Sequence, residues 1–294
     1  MNTDTISISP RTGLEDAIQH SLWYFQYFKH ALSLDELHCF LGEKVSMAEL
    51  EQKLNQEVSA GRVMEKEGFY ALEEESLGAR INHQKLNARW LKIARRMSKL
   101  IAAFPFVRAV YLSGSLSKEG LRGKDDDIDY FLITAAKRVW TAKFLLMAFK
   151  KLFLLNSKKY FCINLLRDER FLHFKRENIY IATEMVSIVA LQNPAYLADL
   201  YRANPWIFRY FPNATIPEHA PEEHRNSKLE KLLDRILGDK FEEWCRKRFE
   251  EHVERQKPKA ESHFETSPQS SAYFPNSFQD QVLKHYHAKN FIHD

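Results

Sequence analysis

The chain is poor in cysteine and has no long uninterrupted apolar run, and each shortage removes a class of protein. Its three cysteines, Cys39, Cys162 and Cys245, stand far apart in 294 residues. They offer neither a disulfide framework nor paired metal-ligand spacing, so reduced thiols are expected. No stretch of about 18 uncharged apolar residues occurs, and the first residues lack the basic start and apolar run of a secretory signal. The nearest imitation of a membrane segment, residues 139–155, is interrupted by Lys143, Lys150 and Lys151. It reads as a helix with a broad apolar face for a sheet and lysines near one edge. A cytoplasmic protein with no membrane association is the expectation. Charge of one sign is also lacking: 43 basic residues face 39 acidic ones, a net +4. Nucleic-acid affinity does not follow from that total; the local distribution of charge matters more.

Two loop types are excluded by what is missing around the acidic run Asp125-Asp126-Asp127. Counting from Asp125 as an EF-hand loop, the sixth position is Tyr130 where glycine is required and the twelfth is Ala136 where glutamate is required. A P-loop fails because no Gly-Lys-Ser/Thr follows Gly114.

What is present is a Gly-Ser turn after one apolar strand, Val107 to Leu112, and an Asp-x-Asp pair at the start of the next, ending at Thr134. Side chains along a strand repeat with period two, so Asp127 and Asp129 share a face while Ile128 points into a core. Two carboxylates on one face can share a divalent cation. Gly114 has no Cβ and admits close approach of a phosphate, while the Ser115 hydroxyl and nearby amides can donate to phosphate oxygens. Lys118 and Lys124 lie close enough in sequence to contact phosphate. These are parts for metal-assisted phosphoryl or nucleotidyl transfer.

In its order of strand, Gly114-Ser115, short helix or loop, Asp127-Ile128-Asp129 and strand, the segment resembles the signature of the DNA polymerase β-like nucleotidyltransferase superfamily, of the minimal type. The resemblance covers roughly residues 95 to 190. It implies that Asp127 and Asp129 bind Mg²⁺ or Mn²⁺ holding a nucleoside triphosphate, and that Gly114 and Ser115 hold its β- and γ-phosphates. The superfamily usually adds a third carboxylate on a later central strand. Here the next strand, near residues 160–166, has Asn164 close to that point, and Asp168 and Glu184 are the substitutes. Arg167, Arg170, Lys175 and Arg176 are further candidates to face an anion.

Around this segment, residues 1–75 read as three helices and a β-hairpin in winged-helix-like order, with Ser33 as a cap and Ser46 to Glu49 as a capping box. The first helix is expected from Leu14 to about Ala31. The third helix sets Glu49, Glu51 and Glu57 against Lys53 alone, which argues against DNA binding and for a packing or partner-docking role, structural support of the catalytic domain foremost. Residues 76–104 read as one long helix whose bases, Arg80, Arg89, Lys92, Arg95, Arg96 and Lys99, form a solvated face. Residues 191–257 read as a helical region with a long helix broken at Gly238. Residues 258–294 read as a linker and tail, with His285, His287 and His293 on the surface.

The expected architecture is thus α+β: a nucleotidyltransferase palm of small mixed sheet and helices over residues 76–190, between the winged-helix-like domain and the helical region. The expected function is transfer of a nucleoside monophosphate from a triphosphate to an acceptor hydroxyl or amine on a small molecule, RNA or protein. The alternatives are a catalytically weak or inactive nucleotide-binding, antitoxin-like interaction protein, and a winged-helix DNA-binding regulator.

Overall fold

The computed structural model describes residues 13–123, 125–155, 157, 159–217, 228–256 and 262–288. The chain divides into two compact units, one of Met1–Ile81, Phe208–Ala214 and His285–Asp294, the other of Asn82–Ile207 and Thr215–Lys284.

The first unit runs α1 (Leu14–Gln26), β1 (Leu32–Ser33), α2 (Leu34–Cys39), α3 (Met47–Ser59), β2 (Met64–Lys66) and β3 (Phe69–Ala71). The strands form a small antiparallel sheet in the order β1-β3-β2. Both α2 and α3 open with complete capping boxes, Ser33 with Glu36 and Ser46 with Glu49. Each box satisfies two amide donors that a bare helix start would leave open. α1 stops at Gln26, short of the expected Ala31, because Lys29 adopts a left-handed φ of 47° and Leu32 is drawn into β1. Ile18, Leu22, Leu37 and Leu50 build the core. His285 belongs to this unit and is no ordinary surface residue: its ring stacks on Trp23 with centroids 4.2 Å apart. The Trp23 indole N–H donates to the His285 carbonyl at 3.1 Å, and the neighbouring Tyr286 meets Tyr24 edge-on.

The charge pattern of α3 differs from the sequence expectation. Glu57 is fully buried, gripped at 2.7 and 2.8 Å by the Arg62 guanidinium, and Glu49 is engaged in its capping box. Two of the three acids are therefore spent on holding the unit together.

The chain continues through α4 (Glu74–Ala102), β4 (Val107–Ser113), α5 (Gly114–Ser117), β5 (Asp129–Thr134), α6 (Val139–Phe153), β6 (Cys162–Asp168), α7 (Ile179–Val186), β7 (Val189–Gln192), α8 (Ala195–Ala203) and α9 (Ile207–Tyr210). It ends in α10 (Lys228–Gln256), β8 (Ser262–Ser267), β9 (Ser270–Pro275) and α11 (Asn276–Ala288). The second unit is a six-stranded mixed sheet, β7-β4-β5-β6-β9-β8, in which β5 and β6 are parallel and every other pair antiparallel. This is mixed α+β structure. Trp90, Val110, Leu112, Ile128, Tyr130, Leu132, Trp140, Leu146 and Cys245 make one buried cluster, so α4, α6 and α10 cover the same face of the sheet. Each fully buried side chain of this size contributes about 1.5 to 3 kcal/mol.

Two expectations fail in this unit. The segment read as a linker forms the β8–β9 hairpin and joins the sheet through β9 against β6, and α11 follows it. Serine and proline content hid two six-residue strands turning at Pro268-Gln269. Of the three lysines of α6 only Lys151 is exposed, since Lys150 is buried and the Lys143 ammonium sits 3.4 Å from the Phe249 ring centroid. Burial pulls the Lys143 pKa down to about 7. α10 keeps the expected break: Gly238 takes φ 59°, ψ −168° inside it.

Candidate active site

β4 and β5 deliver the Gly-Ser turn and the aspartates to the same place, because their antiparallel register sets Ser113 opposite Asp129. Gly114 follows with φ +70°, and a Cβ added there would lie 2.5 Å from Asp129 Oδ2 and 3.2 Å from its Cγ. Only glycine meets both demands, the left-handed backbone and the close carboxylate. Ser115 is exposed on the first turn of α5. Lys118 reaches back one helical turn, its ammonium donating to the Gly114 carbonyl at 3.0 Å and pairing with Glu184 at 2.9 Å. It therefore ties the turn to α7. Lys124 lies outside the described residues.

The three aspartates of the acidic run divide their work. Asp125 is exposed, and Asp126 braces the loop by accepting from the Arg122 and Gly123 amides at 2.6 and 3.1 Å. Asp127 and Asp129 flank Ile128, which is fully buried in the core, so both carboxylates leave the sheet on the opposite face. Burial pushes the Asp129 carboxyl up to about 6; the charges of Asp127 and Glu184 add to the rise, while a hydrogen bond with Cys162 and the Lys118 charge oppose it. The Cys162 thiol, held beside the carboxylate by the β5–β6 register, is itself pushed up to about 12, chiefly by burial.

Of the candidates for a third position, Glu184 belongs to this cluster. Asn164 falls in the bulge where β6 carries one residue more than β5, between Ile163 and Leu165. Asp168 does not approach the site: parallel pairing puts it beside Thr134, at the other end of β5. There it is buried and accepts from the Lys137 amide at 2.7 Å and the Arg170 amide at 2.9 Å. Arg167 and Arg170 are committed at that same end, Arg167 to the His173 carbonyl and the Phe174 ring, Arg170 to Asp168.

Comparison with protein-family models, with curated proteins and with solved structures gives no match. The chemistry of the site must be read from its own residues. Among the described residues, no group of three or more His, Cys, Asp or Glu side chains is gathered closely enough to hold a metal ion. Asp127 and Glu184 nevertheless add their negative charge at Asp129, and the Lys118 charge opposes it. Carboxylate oxygens of this kind suit hard divalent cations such as Mg²⁺. Cys162 is the contributor that sequence reasoning missed. Nothing in its local pattern marks it, because its place depends on the register of a strand more than thirty residues after Asp129.

Proposed function

We propose that this protein is a metal-dependent nucleotidyltransferase of the polymerase β-like type, moving a nucleoside monophosphate from a triphosphate to an acceptor hydroxyl or amine. The observation that carries the reading is the contact between Gly114 and Asp129: the turn suited to phosphate and the carboxylate suited to metal touch directly, with no room for a methyl group between them. Asp127 and Asp129 would hold Mg²⁺ or Mn²⁺, with Glu184, once released from Lys118, as the third acid. When bound, the ion would neutralise triphosphate charge and stabilise the leaving pyrophosphate. The α5 turn would receive the β- and γ-phosphates through its amides and the exposed Ser115 hydroxyl. Lys118 would hold the turn in shape and add positive charge beside it. The strand order of the small sheet and the α-β-α-α-β-β sequence of the first unit support the winged-helix-like reading, with a protein partner as its proposed ligand.

A second reading, nucleotide binding without efficient transfer, is favoured by one feature. Asn164 is neutral and Glu184 is already paired with Lys118, so neither stands ready as a base. Calorimetric titration of ATP, GTP, CTP and UTP with Mg²⁺, on the wild type and on Asp127→Asn/Asp129→Asn, tests the site. Metal-dependent binding of at least one triphosphate that the double variant loses is expected; binding to none, or equal binding by both proteins, removes the reading. Turnover with added acceptors then separates transfer from binding alone.

A further inference from the structure

Between Glu75 and Glu119 the chain contains no aspartate or glutamate, and α4 occupies most of that interval. Lys85, Arg89, Lys92, Arg96 and Lys99 follow one another at steps of four, three, four and three residues, and all five are exposed. That spacing puts them in a single row along one face of the helix. Fourteen residues at 1.5 Å each make the row about 21 Å long. Arg95, also exposed, flanks it. Among the described residues none of the six has a carboxylate partner, whereas Arg80, counted with them by sequence alone, is buried and paired with Glu36 at 2.9 Å. The bases of α10 make a contrast: Arg246, Lys247 and Arg248 are all in ion pairs with glutamates of the same helix. A merely solubilising helix surface mixes both signs; this face carries one.

We propose that this face of α4 is a docking surface for the phosphodiester backbone of duplex nucleic acid, read without regard to sequence. A straight row of about 21 Å spans roughly six base-pair steps of 3.4 Å along the duplex axis. Two features favour a duplex over other polyanions. The apolar side of α4, with Leu86, Trp90, Ile93 and Met97, packs on the core of the second unit, and of the large apolar side chains of the helix Leu100 alone is exposed beside the bases, so α4 itself presents no apolar stripe to a lipid surface. No aromatic side chain stands among the exposed positions of the row, where Gln84 and Ala88 are its neighbours, and the exposed Tyr160 ring packs on Trp90 off the row, so unpaired bases would find no series of rings to stack on. The proposal is independent of the reading of the Asp129 site, and duplex binding survives if that reading fails.

Fluorescence anisotropy of the full chain with labelled 20-base-pair DNA and RNA duplexes, from 50 to 200 mM NaCl, tests it. Five neutralised phosphates predict a log–log salt slope of roughly −4.5, a loss of about 500-fold in affinity across that range. Lys92→Glu/Arg96→Glu should weaken binding at least about tenfold at 50 mM and flatten the slope by roughly 2. Lys44→Glu/Lys66→Glu, which makes the same change in net charge at exposed lysines of the first unit, should leave both nearly unchanged. The proposal is overturned if no duplex binds at 50 mM, if the control variant weakens binding as much as the α4 variant, or if single strands or phosphatidylserine vesicles bind more tightly than duplex.

Discussion

At the end of the six-stranded sheet near Thr134 and Val107, carboxylates and guanidinium groups satisfy one another. Asp168 accepts from two backbone amides and pairs with Arg170, and Arg108 is held at 2.7 and 3.1 Å by both oxygens of Glu230. At the Asp129 end the same residue types are left in imbalance. Lys118 pairs with Glu184 and its charge also reaches Asp129, but burial, with the charges of Asp127 and Glu184, still carries the Asp129 carboxyl up to about 6. Stability asks for closed pairs, and the first end supplies them. Charge left uncompensated at the cost of stability is what a site that takes a cation and a triphosphate requires.

Substitutions can break this contrast from either side. The largest effect is expected from Asp127→Ala, which should lower nucleotidyl transfer by ~10³-fold or more, several kcal/mol of charge stabilisation, while the melting temperature stays close to wild type. Unchanged turnover would remove Asp127 from the site. Asp168→Ala should do the reverse. It strands the Lys137 and Arg170 amides and should cost about 2 to 3 kcal/mol in chemical denaturation, with triphosphate affinity of the folded protein unaltered. A loss of affinity at unchanged stability would mean that the two ends are not distinct in role.

The pH dependence of Asp129 sharpens the contrast further. Its folded-state pKa, about 6, lies above the ordinary 3.8. The folded protein therefore keeps a proton that the unfolded chain releases between these values. Stability falls as pH climbs through that window and stays lowered above it. In EDTA, Asp129→Asn should be more stable than wild type by about 2 kcal/mol at pH 8 and should gain nothing at pH 3.5. A gain of equal size at both pH values would trace the effect to packing. The smallest change is expected for Gly114→Ala. Its left-handed backbone costs about 1 kcal/mol, and the methyl group must displace Asp129, so triphosphate affinity should drop about tenfold. Wild-type affinity would show that the turn and the carboxylate are not coupled.

Local order was legible where a single residue type decides it. Ser33 and Ser46 announce their helices, Gly238 breaks α10, and the alternation of Asp127, Ile128 and Asp129 sends acids and core to opposite faces. What stayed hidden depends on register between distant segments. Asp168 and Glu184 are both acids at plausible distances along the chain, and only the parallel pairing of β5 with β6 sends one away while α7 brings the other near. Cys162 reaches Asp129 by the same pairing. The β8–β9 hairpin escaped because half of the stability of a strand lies in its neighbour, and β6 is a hundred residues away. The buried state of Glu57 was equally invisible, since helical spacing does not say which acid meets Arg62.

The stacking of His285 on Trp23 sets a schedule for synthesis. These partners are 262 residues apart, so a ribosome adding about 5 to 20 residues per second makes α1 roughly 13 to 50 s before the ring it stacks against. Throughout that interval the first unit must wait with an aromatic surface uncovered. A nascent chain halted anywhere short of residue 285 therefore has an unfinished beginning as well as a missing end.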